Sequence, residues 1–107
     1  MIVAFSVSPM GSADSAHPAT ADASVHDAVA AAVKVVRDSG LPNRTSSMFT
    51  EIEGEWDEVF AVVKAATAAV GAYGSRVSLV LKADIRPGFT GELDGKIERL
   101  ESALDQL

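Results

Sequence analysis

The chain has 107 residues, a single-domain length, with 48% hydrophobic and 22% charged side chains, which is the balance of a globular protein. Its net charge of −6, with nine Lys and Arg that form no run, argues against a phosphate-backbone partner and so against nucleic acid. It has no cysteine, which excludes disulfides, thiolate metal sites and cysteine nucleophiles. There is neither a basic, apolar leader nor an apolar run of bilayer length, so the expectation is a cytoplasmic protein that does not enter membranes.

Residues 2–8 alternate Val3, Phe5 and Val7 against Ala4, Ser6 and Ser8, a strand with one oily side, and Pro9 is expected to end it. Residues 10–22 are small and polar with Gly and Pro, a long loop. Val25, Ala28, Val29, Ala32, Val33 and Val36 then recur at helical spacing, with Ser24 or Asp22 as the expected cap and Gly40 and Pro42 as the stop. Asn43–Ser47 and Phe49–Gly54 read as a hairpin that turns near Met48. A second helix begins near Trp56, carries the stripe Val59, Phe60, Val63, Ala66, Val70 and Tyr73, and closes at Gly71 and Gly74. Residues 76–85 place Val77, Leu79 and Leu81 opposite Ser78, Val80 and Lys82, a last strand. Leu93, Ile97, Leu100, Leu104 and Leu107 step by four and three, an amphipathic third helix whose stripe is read first as core packing and second as a seat for a neighbouring subunit.

Strand, helix, strand, strand, helix, strand is the ferredoxin-like βαββαβ order. The expected fold is therefore α+β: one domain over residues 1–107, a four-stranded antiparallel sheet with two helices on one face, plus a C-terminal helix. Ala4, Ser6, Ser8, Thr50, Ile52, Ser78, Val80 and Lys82 are assigned to the face away from the helices. That face is too apolar to stay bare and is expected to meet a second copy or a ligand, so a homo-oligomer, dimer or tetramer, is predicted.

The densest chemistry is Thr50-Glu51-Ile52-Glu53-Gly54-Glu55 followed by Trp56. Alternation puts Glu51, Glu53 and Glu55 on one side, either a solvated acidic edge or a place for an organic cation. No Asp-rich loop or His partner supports a metal. Glu53, directly before Gly54, is placed to accept hydrogen bonds from a ligand amino group, with the Thr50 hydroxyl beside it. Trp56 is read as packing under the hairpin. His17 and His26 form no pair, and no catalytic triad or phosphate loop can be assembled, so the protein is expected not to be an enzyme and to carry no cofactor or metal.

Phe5-Ser-Val-Ser-Pro-Met-Gly11, Ser39-Gly-Leu41, Phe49-Thr-Glu-Ile-Glu-Gly-Glu-Trp-Asp-Glu-Val59 and the closing Arg76-Val-Ser and Lys82-Ala-Asp-Ile-Arg86 resemble the thiamine-binding protein family over roughly residues 2–86. The resemblance implies a ferredoxin-like domain that pairs, often into tetramers, and that binds thiamine or its hydroxymethylpyrimidine moiety without turning it over. Thr50, Glu53 and Gly54 match the family motif, and Pro9 and Gly11 match the end of its first strand. Strand geometry adds Ser6, Ser8, Ser47 and Met48 as neighbours. The sequence departs from the pattern in a longer first loop and in Phe49, which stands where many members have Gly. The expected function is a non-catalytic binding protein for thiamine, its pyrimidine precursor or a related heteroaromatic ligand. The ligand site is assigned to Ser6, Ser8, Ser47, Met48, Thr50 and Glu53. The alternatives are a regulatory module that docks a protein through its 10–22 loop and, by fold analogy, a small dimeric oxidative enzyme.

Overall fold

The computed structural model describes residues 1–11 and 25–107. In chain order they form β1 (Ile2–Met10), α1 (His26–Asp38), β2 (Asn43–Thr45), β3 (Thr50–Glu53), α2 (Trp56–Val70), a 3-10 turn (Gly71–Tyr73), β4 (Arg76–Asp84) and α3 (Glu92–Leu104). The strands make one antiparallel sheet in the order β2-β3-β1-β4, the ferredoxin-like arrangement. The expected caps Ser24 and Asp22, His17, and the loop apart from Met10 and Gly11 lie outside the described residues.

The core follows from two periodicities meeting. Every second residue of β1 points to one face, so Val3, Phe5 and Val7 are buried together. Above them lie Ala28, Ala32 and Val36 of α1 and Val59, Val63, Ala66 and Val70 of α2, which recur every three or four residues. The alanines at the contact let the helix backbones come close to the sheet, and the valines fill the remaining space. Among the described residues no buried side-chain nitrogen or oxygen lacks a hydrogen-bond partner.

Several expectations need correction. Thr50 and Ile52 belong to the helix-covered face, because Thr50 lies opposite Phe5 and Ile52 opposite Val3. Ile52 is fully buried, and as the one large aliphatic residue of β3 it fixes the phase of that strand toward the core. Glu51 and Glu53 share the open face, whereas Glu55 has left the strand and stands at the N-cap of α2. Pro9 does not end β1, which continues to Met10. Beyond Phe5 the strand has no pairing partner on its β3 side among the described residues, and a residue without an N–H is tolerated at such an edge.

Trp56 is exposed and stacks on Phe60, ring centroids 5.2 Å apart, rather than packing under the hairpin. The leucine stripe of α3 is not core packing either: only Leu93 is buried. The end of β1 is closed by a tight backbone crossing. A Cβ on Gly74 would lie 2.5 Å from the Met10 carbonyl oxygen and 2.9 Å from its nitrogen. Gly74→Ala must push the chain after α2 away from β1, and is expected to cost about 1–3 kcal/mol in a urea unfolding curve.

Candidate functional site

β1 pairs with β4 along all nine of its residues but with β3 only from Ile2 to Phe5. From Ser6 onward one edge of β1 therefore has no strand partner among the described residues. Alternate residues of a strand direct their N–H and C=O toward the same edge, so the gap presents main-chain polar groups. The turn joining β2 to β3 bounds this gap. Ser46 spends its donors and acceptor there: its N–H and hydroxyl donate to the Phe49 carbonyl at 2.9 and 3.1 Å, and its hydroxyl accepts from the Phe49 N–H at 3.3 Å. Ser47 and Met48 project at the tip of this turn, with Met48 73% exposed.

Between this turn, the free edge of β1 and α1 lies a cavity of about 220 Å³. Ser6, Ser8, Ser47, Met48 and Thr50 all line it, together with Thr45, Ser46 and Phe49. The sequence reading missed its apolar wall, which is Phe5 and Val7 of β1 and Val25, Val29, Ala32 and Val33 from the start of α1. The signal was available, since Val29, Ala32 and Val33 lie on the very stripe that identified the helix. The cavity is on the helix-covered side of the sheet and opens at its edge, not on the bare face where a ligand was expected. None of the described residues that line it is ionisable.

Glu53 is the site residue that stands apart. It lies three residues along β3 from Thr50, about 10 Å away, and faces the opposite side. Its carboxylate is buried and already occupied, accepting the main-chain N–H of Glu92 at 2.8 Å and of Leu93 at 3.1 Å. These are two of the unpaired donors that open any helix. Gly91 at the N-cap of α3 has φ of +67° and no side chain to satisfy them. Glu53 therefore caps α3 from another element, and its negative charge sits at the positive end of that helix.

Ion pairs surround the cap: Arg44 on β2 meets Asp94 at 2.5 Å, and Lys96 meets Asp84 at the end of β4. Glu92 receives Arg99 at 2.5 Å from within α3. A second cavity, of about 300 Å³, lies at this end and is lined by Met1, Leu41, Pro42, Phe89 and Leu93 with Glu53, Glu55, Glu58 and Asp94. Gly54 leaves room for the Glu58 carboxylate, since a Cβ there would lie 2.6 Å from it. Among the described residues no group of three or more His, Cys, Asp or Glu is placed to hold a metal, and no helix is long and apolar enough to cross a membrane. His26 is exposed beside Asp27.

The hydrogen bond from Lys96, followed by its charge, holds the Asp84 carboxyl below its ordinary value of 3.8. The hydrogen bond from Arg99 does the same for Glu92, ordinarily 4.5. A carboxyl depressed in the folded state stabilises it fully above the ordinary value and ceases to do so as pH falls through the depressed one. The Lys96–Asp84 tie of α3 to β4 and the Arg99–Glu92 pair within α3 are therefore expected to persist down to about those values and to weaken below them, read as faster hydrogen exchange of the α3 amides in acid. Glu53→Ala removes the cap and is expected to cost about 1.5–3 kcal/mol and to expose the amides of Glu92 and Leu93 to exchange.

Residues 3–101 match the family model described as thiamine-binding protein. The chain is 47% identical over 105 residues to UPF0045 proteins of Mycobacterium bovis and Mycobacterium tuberculosis, covering 97% of this chain and 94% of each relative. Among solved structures, it superposes on a hypothetical protein of Methanocaldococcus jannascii with a TM-score of 0.77 at 27% identity, covering 94% of both chains. A structure titled as a putative thiamine biosynthesis/salvage protein of Thermotoga maritima matches with a TM-score of 0.69 at 22% identity, covering 91% of this chain and 96% of that one; this shows a shared fold.

Proposed function

The chain belongs to the thiamine-binding protein family, and we propose that its hydroxyl-lined cavity binds the pyrimidine end of thiamine, or the free hydroxymethylpyrimidine, without turning it over. The observation that carries this reading is the lining itself: the hydroxyl-bearing residues Ser6, Ser8, Ser47 and Thr50 line the cavity together with an apolar wall, with no charged side chain among the described lining residues. A neutral aminopyrimidine asks for that combination, since its ring nitrogens and amino group need hydrogen-bond partners while its faces need apolar surface. The volume of about 220 Å³ falls below the roughly 300–1,000 Å³ of pockets for drug-sized ligands, which suits one substituted ring rather than two. The thiazolium of intact thiamine then lies at the mouth, beyond the exposed Met48. Glu53 is no part of this reading, because the start of α3 occupies its carboxylate.

The same proposal includes self-association in the cytoplasm. β4 is an edge strand of nine residues, and Leu79, Val80 and Leu81 along it are exposed. A long, apolar, unpaired edge of this kind is a template for another strand, and a second copy is the partner always at hand.

Isothermal titration with hydroxymethylpyrimidine, thiamine and thiamine phosphates tests the ligand. Heat is expected with the pyrimidine, and no heat with any of them up to millimolar concentration removes the reading. Thr50→Val keeps the shape and deletes the hydroxyl, and is expected to weaken binding about ten-fold, whereas Glu53→Gln is expected to leave affinity unchanged. Light scattering tests the assembly, which a monomer at all concentrations would refute.

A further inference from the structure

α3 is an unusual element. From Lys96 to Leu107 every residue is exposed, and Ile97, Leu100 and Leu104 are 46%, 52% and 50% exposed. All its contacts with the sheet described above come from its first turn and a half: Glu92 and Leu93 on Glu53, Asp94 on Arg44, and Lys96 on Asp84. The remaining turns stand off the body. A helix of thirteen residues is marginal in water by itself, and its stability ordinarily comes from packing an apolar face. Here the face is present and uncovered.

The spacing of that face suits a second helix. Ile97, Leu100, Leu104 and Leu107 follow the three-and-four step of a coiled-coil seam, with Ile97 and Leu104 at a positions and Leu100 and Leu107 at d positions. Any amphipathic helix face has this period, so the step admits a second helix without requiring one. The charges beside the seam choose the partner and its direction. Lys96 occupies a g position, and Asp94 and Glu101 occupy e positions. Parallel pairing with an identical helix sets Lys96 against Glu101 of the second copy, twice, by symmetry. Antiparallel pairing would set the acidic e positions against one another. Lys96 also meets Asp84, but an ammonium has three donors and can serve both carboxylates. The outer side of the helix carries Glu98 and Asp105, which disfavours an anionic lipid surface as the occupant.

We propose that α3 pairs in parallel with α3 of a second copy through Ile97, Leu100 and Leu104, and that Glu53, by clamping the first turn, is the positioning residue that aims this arm. The pairing deepens the self-association proposed above and rests on it. The clamp matters because a seam of two heptads is too short to order two free helices and pair them at once. With the first turn held to the sheet, part of that ordering has already been met within each chain.

The chain contains no cysteine, which makes a direct test available. At a d position of a parallel pair the two Leu100 side chains face each other across the two-fold axis, so Leu100→Cys is expected to form an intermolecular disulfide on mild oxidation. Glu98→Cys, on the outer side, is expected to link at least ten-fold more slowly. Leu100→Glu is expected to halve the molar mass in light scattering while circular dichroism shows the body still folded, since Leu100 is half exposed in the single chain. Glu53→Ala is expected to slow the Leu100→Cys cross-link several-fold. An oligomer whose mass Leu100→Glu does not change, or equal cross-linking at positions 98 and 100, overturns the helix pairing and leaves the wider self-association standing. A monomer at all concentrations overturns both.

Discussion

Where β3 begins decides where a ligand can go. Had β3 continued past Phe5 along β1, its side chains would have met α1 and closed the space that Thr50 now borders. Instead the chain turns at Ser46–Phe49, and Ser46 satisfies that turn internally. The uncovered edge of β1 and the small side chains on both sides of it remain as a cavity. A sheet loses hydrogen bonds by stopping short, and each buried main-chain group left without a partner costs on the order of 1–3 kcal/mol. A cavity at a strand edge recovers part of that loss from water or from a polar ligand, which an enclosed apolar void cannot do. The site is thus a direct result of unequal strand lengths.

The two acidic residues of β3 show how one face can be spent in two ways. Glu51 lies opposite Ala4 and remains half-buried, whereas Glu53 lies opposite Ile2 and is covered. Burying a carboxylate without partners would be prohibitive, and two main-chain N–H groups at a helix start are well suited to hold it. The exchange benefits both sides, since Gly91 gives α3 no cap of its own. A residue adjacent to the pocket in sequence is thereby committed to architecture at the other end of the sheet.

Much of the fold was legible because it rests on period alone. The alternation of Val3, Phe5 and Val7 and the stripes of α1 and α2 each have one apolar side, and one apolar side has one place to go. The hairpin was legible too, although its turn lacks a strong signal. What period could not supply was phase. Alternation separates Thr50 and Ile52 from Glu51 and Glu53 without saying which pair meets the helices, and only the pairing of Ile52 with Val3 settles it. Five of the six assigned site residues reached one cavity because they lie near one turn and one strand end. Glu53 did not, because nothing local announces that a helix start forty residues later will need a cap. The stripe of α3 misled for a related reason: an amphipathic helix declares that it has a buried side, not whose surface buries it.

Charge acts on two scales in this molecule. At a distance the chain presents a net −6, which draws cations toward it and raises their local concentration. Among the described residues that line the cavity there is no charge to meet them, so a cationic group that entered would find no compensation from these residues for its lost hydration. The two effects together favour a molecule with its charge and its recognised ring on separate parts: attracted by one, seated by the other. A neutral pyrimidine would arrive unaided but fit as well. If the proposed ligand binds there, salt should therefore slow the arrival of its charged form while leaving the affinity of the neutral form almost untouched, because screening acts on the approach and not on the hydroxyls and valines proposed to hold the ring.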